Sequence, residues 1–411
     1  MRLFARFYRL VWGADVDPAL RPVLAVQFAG SVAGSVAWVF MGIWAKVHLG
    51  ASDRQLAVTF LVGALFAGLA SYAGGHLSDH VGRRPLILFG WGVQTAMLLA
   101  FVAVGDHLFA GLALAALAPA LGSIGRAADT ALVADLVPAE RHEAGYASVR
   151  IASNLGVVFG PPIGGLLLLG NHWPVFFLGA ALFSLAGAWI AWRYLPRTGA
   201  FAPESPPERG SWGVIRRDAA FLLFMASSVL ASMTYVAYEV LMPISLTSSH
   251  GLQPAAWGFL VIANPILVTT LQLRLIRWTA GISATVKLAV AMPLMGLPLV
   301  ILNVSAAIPV VLGVIVVFVI GEMLWIPTSQ SAVAAFSPKD LRGAYMGFFG
   351  SSWSVAWALT PFLGLQVRAV WGDSTMWACA AAISVLAGIA GALAVRGRRE
   401  PEPDPVASPA T

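Results

Sequence analysis

Residues 75–86 read Gly75-His76-Leu77-Ser78-Asp79-His80-Val81-Gly82-Arg83-Arg84-Pro85-Leu86. They lie between two apolar runs, approximately 56–78 and 86–104. Each run is long enough to cross a bilayer, which takes about 20 apolar residues. A short segment carrying an acid and two adjacent arginines between two such runs is where a chain turns back on a membrane surface. Gly82 suits the tight turn because it has no Cβ. Gly75 allows close helix approach. Asp79 is suited to the positive N-terminal end of a neighbouring helix.

Working outward, the whole chain shares this character. Its 411 residues are 59% hydrophobic and 11% charged, with a mean hydropathy of +0.81. A soluble domain carries about 25% charged residues, so a surface this poor in charge must face lipid. About twelve apolar runs follow one another: 23–47, 56–78, 86–104, 109–134, 144–169, 174–195, 219–246, 256–277, 284–303, 308–335, 344–367 and 375–395. They are continuous and rich in Leu, Ala, Val and Gly. Lipid-spanning strands would be about 10 residues long with strict alternation, so these runs predict helices. The first run exceeds the apolar core of a cleavable signal and has no small-residue cleavage site after it, so it is read as a retained span. The single cysteine, Cys379, supports no disulfide framework.

Lysine and arginine collect on the cytoplasmic side of membrane proteins. Of the 25 basic residues, only Lys46, Arg54 and Arg368 fall on the side opposite the termini, and Arg126 falls inside a span. Both termini are therefore expected in the cytoplasm. The net charge of +6 is explained by this flanking pattern and calls for no nucleic-acid partner. The stretch Pro196–Arg217, with Pro203, Pro206, Pro207, Gly210 and four arginines, reads as a linker. It divides a six-helix bundle at 1–195 from a second at 218–396. Residues 397–411 are Pro-rich and are expected to be a disordered tail. The halves repeat at an offset of 200. Val133, Ala134, Pro138, Pro161 and Gly164 recur as Val333, Ala334, Pro338, Pro361 and Gly364.

The fifth run contains Gly156-Val157-Val158-Phe159-Gly160-Pro161-Pro162-Ile163-Gly164-Gly165. Small residues at this spacing let helix backbones pack closely in lipid, and the prolines remove backbone donors. Residues 75–84 resemble the G-x-L-x-D-x-x-G-R-R signature loop of the major facilitator superfamily. Residues 156–165 resemble the G-x-x-x-G-P-x-x-G-G motif of its antiporters. The resemblance spans nearly the whole chain and implies two pseudo-symmetric six-helix bundles and transport by alternating access. It further implies that Asp79 meets the eleventh helix near Arg342, and that Arg83 pairs with Asp135, together latching the cytoplasmic gate with Gly75, Gly82 and Arg84. The equivalent loop of the second half, Gln272–Gly281, keeps basic residues but lacks the glycine–aspartate frame, so a weaker latch is expected there.

Ionisable residues inside spans are costly and usually functional or paired. Arg126 and Asp129 share a face of the fourth span at i, i+3, a spacing that suits either a neutralising ion pair or a coupling element. Glu239 lies in the seventh span and Glu322 in the tenth. A carboxylate in a poorly solvated cavity exchanges protons nearer neutral pH, so these two acids are the candidates for carrying protons or recognising cations. The alternative for each is a structural hydrogen bond to a neighbouring helix. All seven histidines fall in predicted loops or at helix ends, so coupling should rest on carboxylates, and no metal site or cofactor is expected. Tyr235, Tyr238, Trp325, Gln330 and Trp353, with Gln27, Trp38, Gln94, Asn154, Asn264, Gln272 and Trp357, are candidates for a cavity lining; for any one, helix packing is the competing role. The chain has no phosphate-binding G-x-x-x-x-G-K-[ST] loop and no H-E-x-x-H, G-x-S-x-G or C-x-x-C pattern, so no enzyme is expected.

The resemblance points to a proton-driven exporter of drugs or small amphipathic metabolites in the cell inner membrane. Its expected partners are the lipid bilayer, protons and a small-molecule substrate, and a monomer is expected. A substrate-specific importer or symporter on the same fold, or a membrane sensor that moves nothing, are the alternatives.

Overall fold

The computed structural model describes residues 20–136, 142–195, 211–338 and 342–396, apart from the side chains of 71–76, 78–80, 125–131, 133–135, 142–147, 150, 211–212, 273 and 342–344. All regular structure among the described residues is helical. Lipid offers no partners for peptide groups, so each apolar run must close its own N–H···O=C bonds, which only a helix does within one segment.

The first half runs through α1 (Arg21–His48, its last turn a π-helix from Trp44), α2 (Asp53–Val81), α3 (Arg83–Val104), α4 (Leu108–Leu136), α5 (His142–Leu167) and α6 (Trp173–Tyr194). A five-residue helix, Ser211–Ile215, precedes the second half. There follow α7 (Ala219–Ser248), α8 (Pro254–Leu260 and, after a two-residue break, Ala263–Trp278), α9 (Ala284–Asn303, ending in a 3₁₀ segment) and α10 (Ile308–Phe336). Helix starts carry recognisable chemistry. The Asp218 side chain accepts from the Phe221 N–H at 3.0 Å ahead of α7, the capping role that satisfies an orphan donor. Proline stands in the first turn of α1, α6, α8 and α10, where no donor is lost.

The last helical stretch, Arg342–Val395, is 54 residues long with one non-helical residue, Gly372 (φ 81°, ψ 178°). At 1.5 Å per residue it measures about 80 Å, more than twice a bilayer core of about 30 Å. Gly372 therefore divides it into α11 (342–371) and α12 (373–395). Nine of the described helices are long and apolar enough to cross a membrane. Two shorter apolar helices, Leu108–Ile124 and Ile151–Leu167, and the division at Gly372 bring the crossings to the twelve expected. The repeat also shows in the helices: α5 begins at His142 and α11 at Arg342. Gly164 faces Phe40 of α1, and Gly364 faces Leu241 of α7.

Two compact units emerge from the packing. The first takes in α1–α6 with residues 239–266 and 361–370. Its interior holds an aromatic nest in which Phe101 stacks on Phe177 at 5.0 Å between ring centres and Trp44 meets both edge-on. Polar groups bridge its helices: Gln27 donates to the Ser153 hydroxyl at 2.8 Å, and the hydroxyls of Thr95 and Ser184 share a bond of 2.9 Å. The second unit takes in 207–238, 267–360 and the chain from Trp371. There Leu288, Met292 and Met295 of α9 and Val314, Ile315 and Phe318 of α10 are buried. Ser227 of α7 donates to the Ala387 carbonyl at 2.7 Å, and Gln272 of α8 to the Met323 carbonyl at 2.9 Å. Inter-helix hydrogen bonds of this kind replace the hydrophobic driving force that lipid cannot supply. Gln27 and Gln272, candidates for a cavity lining, thus serve as bridges between helices.

Candidate functional site

The basic turn at 75–86 is more helical than its polarity suggested. α2 continues to Val81 and α3 begins at Arg83, leaving Gly82 alone as the turn, with φ 93° and ψ 160°. That conformation is open to glycine and strained for other residues. The reason is that His76, Leu77 and Ser78 carry no helix-breaking chemistry, so the helix runs past the apolar boundary until glycine ends it. Arg83 is buried at 8% relative exposure. Arg84 donates to the Trp192 carbonyl in the last turn of α6, where the negative end of the helix dipole favours a cation. The side chains of Asp79 and Asp135 and the surroundings of Gly75 lie outside what is described, so the contacts expected of them do too. The same holds for the side chains of Arg126 and Asp129, whose backbone is part of α4.

The glycine motif makes one continuous face. Gly156, Gly160 and Gly164 recur every four residues and lie against α1. A Cβ on Gly156 would sit 2.5 Å from Ser31 Cβ and 2.7 Å from the Phe28 carbonyl. On Gly164 it would sit 2.6 Å from the Val36 carbonyl, and on Gly160 it would run into the Ser35 hydroxyl. Gly165 faces the other way, toward the Ala255 carbonyl of α8, and the Pro161 carbonyl touches Gly258 of that helix. The motif thus seats α5 between an α1 backbone in its own half and an α8 backbone from the other, all within the first unit.

Glu239 occupies a π-helical turn, Ala237–Leu241, inside α7. Such turns widen a helix locally and recur at functional sites. The carboxyl-bearing residue lines a cavity of about 20 Å³ with Trp38, Gly42 and Ile43 of α1 and Phe60 of α2. This cavity lies in the first unit, yet its walls come from both sequence halves. Trp38, a candidate lining residue, is therefore placed with Glu239.

Glu322 is buried in α10 at 7% exposure. It lies between Phe318 and Trp325, at spacings of four and three that place all three on one side of the helix. These rings belong to a cluster in the second unit. Tyr238 stacks on Phe318 with centroids 4.1 Å apart, Tyr235 meets Trp353 at 5.0 Å, and Trp325 meets Trp353 at 5.7 Å. Four of the five aromatic and polar candidates, Tyr235, Tyr238, Trp325 and Trp353, are brought together. Gln330 is not among them and is exposed on α10, because it lies five residues beyond Trp325 and so on another side of the helix. The Trp325 Nε1–H is buried with no hydrogen-bond partner among the described residues, although a buried indole usually finds one.

Charge-pattern reading passed over one site entirely. Asp53, the first residue of α2, accepts from Lys46 at 2.6 Å and from Arg368 of α11 at 2.8 Å. The second Arg368 nitrogen donates to the Ser248 and Ser249 hydroxyls of α7 at 2.6 and 2.8 Å. Two of the three basic residues assigned to that side of the membrane thus share one carboxylate. The available signal was Arg368 itself, a lone arginine ending an apolar helix on a side otherwise depleted of them. Its partner, 315 positions away, is not readable from spacing.

Twelve apolar crossings, two acids inside the spans of the second half and an ion cluster at one helix end define a multi-pass membrane protein of the transporter class. The chain belongs to the major facilitator superfamily: the sequence profile described as Major Facilitator Superfamily matches residues 23–361. Among its relatives, "Multidrug resistance protein MdtH" of Edwardsiella ictaluri (strain 93-146) is 30% identical over 280 residues, covering 67% of this chain and 68% of that one. A "Na(+), Li(+), K(+)/H(+) antiporter" of Planococcus maritimus is 20% identical over 406 residues, covering 91% and 95%. Among solved structures, the nucleoside transporter NupG aligns with a TM-score of 0.76 at 10% identity, covering 92% of this chain and all of that one. A POT family transporter aligns with a TM-score of 0.73 at 15% identity, covering 90% and 94%. At such identities the solved structures speak for the fold alone.

Proposed function

We propose that this protein is a proton-coupled exporter of drugs or small amphipathic metabolites in the bacterial inner membrane, with both termini cytoplasmic. The observation that carries the proposal is the setting of Glu239. It stands on a π-turn of α7, and the cavity it lines is walled by Trp38 of α1 and Phe60 of α2. A carboxylate there answers to movement of one sequence half against the other, which is what coupling a proton to alternating access requires. Glu322, beside the aromatic cluster, is the second candidate acid. The rings supply flat apolar surface and can hold a cation by their faces.

In the proposed cycle the bundles 1–195 and 218–396 rock about the substrate. Asp79, Arg83 and Asp135 latch the cytoplasmic end, with Arg126 and Asp129 relaying charge between gate and cavity. Asp53, Lys46 and Arg368 latch the opposite end. Facing outward, Glu239 takes up a proton and the substrate leaves; facing inward, the proton leaves and a new substrate binds. The drug-resistance and cation/proton antiporter names among the relatives support export and proton exchange respectively.

Everted vesicles from cells lacking their own pumps provide the test. Acidifying the vesicle interior should drive uptake of a lipophilic dye, and a protonophore should abolish it. Uptake driven instead by an alkaline interior would reverse the direction and favour the symporter reading.

A further inference from the structure

A cavity of about 650 Å³ in the second unit opens between the end of α8, the start of α9 and the second half of α10. None of the residues proposed above for proton or substrate handling is in its lining, although Met323, whose carbonyl holds Gln272, is. Its polar side chains are those of Thr279, Ser283, Thr285, Lys287, Thr328 and Ser331. Thr279 donates to the Leu275 carbonyl, and Ser283 accepts from the Val286 N–H at the start of α9. The side chains of Thr285, Lys287, Thr328 and Ser331 have no hydrogen-bond or ion-pair partner among the described residues. Its apolar wall includes Leu324 and Pro327.

Three observations say what this cavity takes. First, the stretch of chain that supplies most of its lining is cationic. Between Gly251 and Pro338 the only acid is Glu322, against Arg274, Arg277 and Lys287. Second, its depth in the membrane is marked. Trp278, next to the lining residue Thr279, is 73% exposed, as an indole at the headgroup level is. Third, the outer surface next to it is apolar: Ile282, Val286 and Val290 are all exposed, which places acyl chains alongside. A site with one cation and unoccupied hydroxyls at the headgroup level, bordered by a lipid-facing wall, matches an anionic lipid. Basic pockets between membrane helices bind such headgroups.

We infer that this cavity binds the headgroup of an anionic glycerophospholipid from the surrounding bilayer. The phosphate sits on Lys287, the glycerol hydroxyls meet Thr328 and Ser331, and the chains lie along the exposed face of α9.

Native mass spectrometry of the full chain in detergent tests this, using phosphatidylglycerol, phosphatidylcholine and inorganic phosphate as separate probes. Wild-type protein should retain phosphatidylglycerol over phosphatidylcholine, and Lys287→Gln should cut that retention roughly fivefold, the scale set by one basic residue at an anionic surface. Ser331→Phe, which fills the cavity and keeps the charge, should cut it as well. Arg54→Gln, a basic residue at the other end of the helices, should change nothing. Circular dichroism melts establish that each variant is folded, and either cavity variant alone suffices for the decision. Equal retention of the two lipids, or unchanged phosphatidylglycerol binding in a folded cavity variant, would overturn the proposal. So would displacement of the lipid by millimolar phosphate, which would make the cavity a site for a free anion.

Discussion

Arg368 of α11 holds Asp53 of α2 at 2.8 Å with one guanidinium nitrogen and the hydroxyls of Ser248 and Ser249 of α7 with the other. Arginine's fixed fork lets one side chain join three helix ends. Lys46 approaches the same Asp53 oxygen at 2.6 Å. One anion is therefore shared by two cations, and the Arg368 and Asp53 groups are mostly shielded, with side-chain exposures of 8% and 12%.

Asp53→Asn should open this end. The change leaves two cations facing each other without their shared carboxylate. In a Cys379→Ser background, a cysteine replacing the buried Thr247 should react with maleimide about tenfold faster, corresponding to about 1.4 kcal/mol. An unchanged labelling rate would show that the cluster does not hold the end closed.

Glu239→Gln should uncouple transport from pH. The amide keeps the size and hydrogen-bonding capacity of the side chain but cannot release a proton. Proteoliposomes should lose substrate accumulation driven by a pH gradient while retaining exchange of labelled for unlabelled substrate. Loss of both would assign Glu239 to substrate binding or to structure instead.

Trp325→Phe separates packing from recognition. The change removes a buried N–H without a partner among the described residues and part of a buried ring. Relief of an unsatisfied donor, about 1–3 kcal/mol, opposes a large-to-small packing loss of similar size, so the melting temperature in detergent should change little. A raised KM for transport at unchanged stability would mark the indole N–H as a substrate contact. A steep fall in melting temperature would assign Trp325 a structural role instead.

Gly160→Val should damage the protein, and Gly122→Val should not. A Cβ at Gly160 meets the Ser35 hydroxyl and the Val32 carbonyl, whereas nothing among the described residues lies within 4 Å of one at Gly122. Overpacking of a close interface costs about 1–3 kcal/mol. Thermal denaturation of the two variants side by side measures the difference, and equal melting points would remove the close α1–α5 contact as a determinant of stability.

Much of the fold was legible because lipid imposes a simple rule on sequence. The runs that predicted spans correspond to α1 through α12 with ends shifted by a few residues, and Gly82 was identifiable as a turn. The extension of α2 beyond residue 78, through Asp79 to Val81, was not legible, because hydropathy marks where the bilayer ends and not where a helix ends. The glycines of α5 announced close packing, but not which backbones they touch. Tyr235, Tyr238, Trp325 and Trp353 could be named as a set from type and position, whereas the same reasoning included Gln330, which points elsewhere.

The amino-acid sequence by itself determined the solvent of this protein, the number of its crossings and its superfamily, since each depends on composition and local order along the chain. Tertiary structure alone decided that Asp53 would gather Lys46 and Arg368, that Glu239 would share a cavity with Trp38 and Phe60, and that Lys287 would line an open pocket. Those relationships join residues far apart in the chain. Their distances are set by how helices pack, and packing depends on the shapes of whole faces, which no local pattern encodes.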